Sequence, residues 1–147
     1  MKYRSIVVNL LAWALTAVCL SCDGSQWQNS LVFGTEFEEP DPTDPSTFVL
    51  IGQGNTFPAG SIAMRFECAE EFGDRLVRFR FLVGTTPQFE MDFPYMPGIP
   101  YPAGVHGLFE HLNINDPGVY DVRAYLVDLR TAAETFVIRA PLEITAP

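Results

Sequence analysis

Seven short runs of alternating hydrophobicity, spaced by glycine- and proline-bearing turns and unaccompanied by a convincing amphipathic helix, predict an all-β chain. The expected architecture is an antiparallel β-sandwich of about seven strands over residues 47–147. With 147 residues and 48% hydrophobic content, one domain with a real core is expected.

The runs follow one another with period two. Residues 48–52 are apolar and close on Gly52-Gln53-Gly54. In 61–68, Ile62, Met64, Phe66 and Cys68 share a face, with Arg65 and Glu67 on the other. In 75–84, Val77, Phe79, Phe81 and Val83 point inward and Arg78 and Arg80 outward. Residues 87–93 and 107–114 alternate more weakly. The run 118–129 sets Tyr120, Val122, Ala124 and Leu126 inside against Asp121 and Arg123. The run 134–144 sets Phe136, Ile138, Ala140 and Leu142 against Val137, Arg139 and Glu143.

Two other regions precede the strands. Lys2 and Arg4 lead into 15 residues, 6–20, that are apolar apart from Asn9 and Thr16. That is short of the ~20 needed to span a membrane and has the form of a secretory signal over residues 1–21. Residues 22–46 read as a disordered tether, because 36–46 alone hold five carboxylates and three prolines. At full stretch 23–46 reaches about 80 Å. Within it, Leu31-Val32-Phe33 is an apolar island for which docking on the domain and a free tether both stay open.

The run Cys19-Leu20-Ser21-Cys22 resembles the lipobox of bacterial lipoproteins, in which a small residue precedes a cysteine that is acylated and becomes the new N-terminus. Ser21 and Cys22 fit that pattern; Cys19 stands where the family usually has leucine. The resemblance implies lipidation at Cys22 and anchoring to the bacterial cell envelope; cleavage by an ordinary signal peptidase is the alternative. Asp23 after Cys22 resembles the inner-membrane retention signal of enteric bacteria, and the leaflet stays open. Cleavage before Cys22 removes Lys2 and Arg4 from the nine basic residues, so seven arginines face 18 carboxylates, a net charge of −11. Such a chain lacks the basic face that nucleic acids require. With Cys22 acylated, Cys68 has no partner for a disulfide and reads as a buried small hydrophobe.

Asp116-Pro117-Gly118-Val119-Tyr120-Asp121-Val122 resembles the tyrosine corner of immunoglobulin-like sandwiches. The resemblance implies a structural Tyr120, its hydroxyl bonded to backbone a few residues upstream. Similar Gly-x-Tyr-x-Val strands occur in many bacterial sandwich modules, including polycystic-kidney-disease-like repeats and carbohydrate-binding tails.

No hydrolase elbow, zincin helix, phosphate loop or paired-cysteine motif is present, and the expected protein is non-catalytic, without cofactor or metal. His106 and His111 are five apart, which on a strand sends them to opposite faces. Glu67, Glu70, Glu71 and Asp74 crowd one stretch without a calcium-loop pattern and read as solvated charge. Two candidate binding surfaces remain. If the third, sixth and seventh strands are neighbours, Arg78, Arg80, Arg123 and Arg139 share one outer face, either as a local reversal of sign or as partners of Asp121, Glu134 and Glu143. The loop 94–104 carries four prolines with Tyr95, Met96, Ile99 and Tyr101, either as partner anchors or as a plug for the sandwich end. A lipid-anchored binding module is expected, with an envelope protein as first partner, a glycan second and a purely structural role third.

Overall fold

The computed structural model describes residues 27–43 and 47–147. Residues 1–26, with the expected signal over 1–21 and Cys22, and residues 44–46 lie outside the described residues. Ten strands follow in order: β1 (Ser30–Gly34), β2 (Glu36–Glu38), β3 (Val49–Ile51), β4 (Thr56–Pro58), β5 (Gly60–Glu67), β6 (Arg75–Val83), β7 (Thr86–Phe93), β8 (Gly107–Ile114), β9 (Gly118–Asp128) and β10 (Glu134–Thr145). The seven strands expected from alternation are β3 and β5 to β10.

They build an all-β sandwich. One sheet has the order β4-β10-β9-β6-β7 and the other β1-β5-β8, with β2 and β3 forming a separate ribbon. The third, sixth and seventh expected strands are thus adjacent as β6, β9 and β10. The expectation of purely antiparallel pairing is corrected at one point: β4 runs parallel to β10, Phe57 opposite Ile144. β4 leads directly into β5 of the facing sheet and so reaches the edge of β10 running in the same direction.

Between the sheets, Ile62, Met64 and Phe66 of β5 and Leu108, Leu112 and Ile114 of β8 meet Val77, Phe79, Phe81, Val122, Ala124, Leu126 and Leu142. Phe66 sits edge-on to Phe79 across the layers, ring centroids 5.3 Å apart. Such contacts add roughly 0.5–1.5 kcal/mol to area burial. Cys68 is buried in this core, and burial pushes its thiol upward, away from reactive thiolate. Val83, expected inside, is exposed because Phe81 is the last inner residue before the turn at Gly84.

The disordered tether of 22–46 is corrected over the described residues 27–43. Leu31-Val32-Phe33 docks: β1 pairs antiparallel with β5 from Ser30 opposite Glu67 to Gly34 opposite Ala63, burying Leu31 and Phe33. The domain boundary therefore moves ahead of β1. Upstream, Trp27 stacks on His106 at 5.2 Å, and Asn29 Oδ1 accepts the Ala69 N–H at 2.8 Å. Gly34 is required because a Cβ there would stand 2.5 Å from the Ile51 carbonyl oxygen. Next, β2 pairs with β3 and lays Phe37 edge-on against Phe109, 5.2 Å away, while Phe48 packs on the same ring at 5.5 Å. The ribbon thereby covers the outer face of the three-stranded sheet. Of the acidic, proline-rich stretch after Glu38, the described residues 39–43 turn at Asp41, whose Oδ1 accepts from the Thr43 N–H.

The tyrosine corner is present. Tyr120 is buried and its hydroxyl donates to the Asp116 carbonyl oxygen at 2.8 Å, pinning the start of β9. Tyr120→Ala is expected to cost about 3–5 kcal/mol and Tyr120→Phe about 1 kcal/mol, the scale of one hydrogen bond. Denaturant titration of the two variants checks both, and an unmoved midpoint for Tyr120→Ala would remove the corner from the account.

Candidate functional site

The outer face of the five-stranded sheet is built in rows by the strand register. Across β7, β6, β9 and β10 one row reads Asp92, Arg78, Tyr125, Phe136, and the next reads Glu90, Arg80, Arg123, Arg139. Phe136 was expected inside. A bulge between Phe136 and Ile138 inserts Val137, so Phe136 pairs with outward Tyr125 while Ile138 pairs with inward Ala124. Phe136 is accordingly 54% exposed.

The four arginines do share this face, but it is not a reversal of sign. Arg78 makes a two-point contact with Asp92, Nε to Oδ1 and Nη2 to Oδ2 both at 2.8 Å, and reaches Glu134 at 2.8 Å. The Asp92 bonds, foremost, hold its guanidinium more firmly protonated than usual. Arg80 contacts Glu90 at 3.1 Å and Glu134 at 3.0 Å. Held chiefly by Arg78, then by Arg80, the Glu134 carboxyl lies below the ordinary glutamate value. Arg123 contacts Asp121 at 2.8 Å. These pairs offset the repulsion of three arginines lying in one row, Arg80, Arg123 and Arg139.

The balance runs out at β10. Among the described residues Arg139 approaches only the Asp121 carboxylate, at 3.9 Å, through an oxygen already bound to Arg123, and its side chain is 68% exposed. An open groove of about 590 Å³ lies here, lined by Arg123, Tyr125, Phe136, Val137, Ile138 and Arg139. Tyr125 and Phe136 form its aromatic wall, centroids 5.8 Å apart, and the Arg80 guanidinium covers Tyr125 at 4.9 Å. The groove thus offers an exposed ring beside a guanidinium free to turn toward a carboxylate. Along the neighbouring edge, the Val137 bulge and Pro141 interrupt the regular ladder and blunt pairing with a further strand.

The loop 94–104 divides between the two expectations. Tyr101 is 4% exposed, edge-on to Phe72 at 4.9 Å, and its hydroxyl donates to the Phe93 carbonyl. It is a plug, and as a partner anchor it is corrected. Tyr95 is half-buried and tilted against Tyr101, Met96 is half-buried, and Ile99 is 48% exposed. A tight turn links them, Ile99 N–H donating to the Met96 carbonyl at 2.9 Å.

The histidines stay apart, His106 with Nδ1 3.1 Å from the Cys68 carbonyl oxygen and His111 against Phe37 at 4.6 Å. Of the acidic cluster, Glu70 binds Arg75 and Glu71 accepts the Gly104 N–H. Among the described residues no three His, Cys, Asp or Glu side chains gather to hold a metal ion.

One titratable group escaped the sequence reading. Glu110 lies on the inner face of β8 between Leu108 and Leu112, opposite Met64, and is buried. Burial raises its pKa, with the bond from His111 N–H to its Oε1 pulling the other way. A carboxyl raised in the fold binds more protons there than in the unfolded chain, so its stabilisation is present below the ordinary glutamate value and fades as pH rises through the folded one. Glu110→Gln is expected to raise the thermal midpoint at pH 7, with the gain shrinking as pH falls to 4. A gain of equal size at both pH values would contradict the assignment.

No known protein family matches the chain, and no curated protein does. Among solved structures it is similar to the crystal structure of the PmoD soluble domain from Methylocystis sp. ATCC 49242 (Rockwell), at 11% identity and a TM-score of 0.43, covering 80% of this chain and 90% of that one.

Proposed function

We propose that the protein is a non-catalytic binding module, exported and held to the bacterial envelope membrane by acylation of Cys22, that grips a protein partner through the groove on β9 and β10. The observation that carries the binding reading is Phe136, a large aromatic turned outward by a bulge beside incompletely paired Arg139. On a face whose other arginines, Arg78, Arg80 and Arg123, each hold a carboxylate at 3.1 Å or less, that pair is available to a partner. An aromatic anchor next to an arginine is the composition of an interface hot spot. The matching segment carries an apolar side chain for the Phe136 ring and a carboxylate for Arg139. The lipid anchor rests on the Ser21-Cys22 junction and the apolar run before it.

Arg80 over Tyr125 favours a protein over a glycan, because it occupies one face of the ring a sugar would stack on. A photo-crosslinking residue at position 136 in cells is expected to give one discrete protein adduct, and the same residue at Val119 none. Arg139→Glu should lower the adduct yield at 136 at least tenfold, since it turns attraction for a carboxylate into repulsion. Equal adducts at 136 and 119, or a yield indifferent to Arg139→Glu, would overturn the groove as the recognition surface.

A further inference from the structure

The domain begins almost at the anchor. Trp27 is already fixed on His106, so four residues, or five Cα-to-Cα steps, separate the first docked side chain from Cys22. At full extension that is about 17 Å, in place of about 80 Å for a free tether of 23–46. By comparison β9 alone, with 11 residues, runs about 36 Å at the usual rise. A module tied this closely presents one end to the bilayer.

Which end is fixed by hydrogen bonds. Asn29 takes the Ala69 N–H, Cys68 N–H donates to the His106 carbonyl, Phe72 N–H to Val105, and Tyr101 N–H to Gly73. Trp27, residues 69–73 and the loop 94–104 therefore stand together at the end where β5 finishes and β8 begins. The loop carries no charge along its whole length and exposes Ile99 at its tip. The opposite end carries the turn after Val83 and the start of β9, where Val119 is 64% exposed.

Resting on the acylation of Cys22 read above, we infer that this end lies on the lipid interface, with Trp27 and the 94–104 loop, led by Ile99, seated among the headgroups. Tryptophan and short apolar side chains suit that layer, where one side is apolar and the other wet. Glu70, paired with Arg75 but mostly exposed, and exposed Glu71 and Asp74 border the contact and leave it net negative, so a zwitterionic surface is favoured over an anionic one. With this end down, the groove around Phe136 faces sideways along the membrane.

Trp27 is the only tryptophan after residue 21 and reports the contact directly. The mature lipoprotein is reconstituted into phosphatidylcholine vesicles with plain or brominated acyl chains, after intact mass and flotation have shown the acyl group. At least twofold quenching of Trp27 emission by the brominated lipid is expected, falling as phosphatidylglycerol is added. Ile99→Asp, at an exposed position, should remove most of the quenching and Val119→Asp none, with thermal midpoints unchanged. An acylated, floating protein whose Trp27 is unquenched would overturn this inference and leave the anchor standing. Undiminished quenching in Ile99→Asp would overturn the loop's part in it. A mature chain without acyl mass that fails to float would overturn both.

Discussion

Five residue pairs between β1 and β5 decide more about this molecule than their number suggests. They bury Leu31 and Phe33 in the shared core, and the β-addition moves the start of the domain from the acidic loop to residues close to Cys22. From there the chain has only Thr35 as a corner, whose N–H donates to the Ile51 carbonyl at 2.8 Å, before β2 delivers Phe37 onto Phe109. Without the β1 pairing, Phe109 would lose a cover on the outer face of the three-stranded sheet and Trp27 would have no fixed approach to His106. The orientation proposed at the membrane rests on the same pairing.

β5, β6 and β9 were legible because their alternation is unbroken over most of their length, and they carry their arginines and core residues on the faces expected, Val83 at the end of β6 excepted. The corner at Asp116–Tyr120 was equally legible, because a buried tyrosine needs a partner for its hydroxyl and the preceding turn supplies one. Short elements were not. β2 contains one inward residue, Phe37, between two glutamates, and three residues cannot display a period. β4 contains Phe57 between Thr56 and Pro58, and its parallel partner β10 lies far along the chain. A bulge is the harder case. Nothing in Phe136-Val137-Ile138 marks which residue is the extra one, and the choice sends Phe136 to solvent instead of core. The groove was therefore out of reach from sequence, although Arg123 and Arg139 beside it were not.

The arginine face shows how local charge depends on neighbours that composition does not reveal. Asp92 and Glu90 belong to β7, whose alternation is weak, yet its pairing with β6 sets them opposite Arg78 and Arg80. Surface ion pairs of this kind are each worth ~0–1 kcal/mol, so their effect is chiefly to neutralise half of the face. What remains at β10 is a small asymmetric patch, and the asymmetry, more than the arginine count, gives the surface a direction for a partner.

The pairing of β1 with β5 is tested most directly by native-state hydrogen exchange, residue by residue, on the mature chain. Within the Ser30–Gly34 segment, the amides bonded across the ladder are expected to exchange as slowly as those in the middle of β5, opening only with global unfolding. Exchange there at the rate of an unstructured peptide, while β5 stays protected, would return the segment to a tether and contradict the domain boundary drawn here.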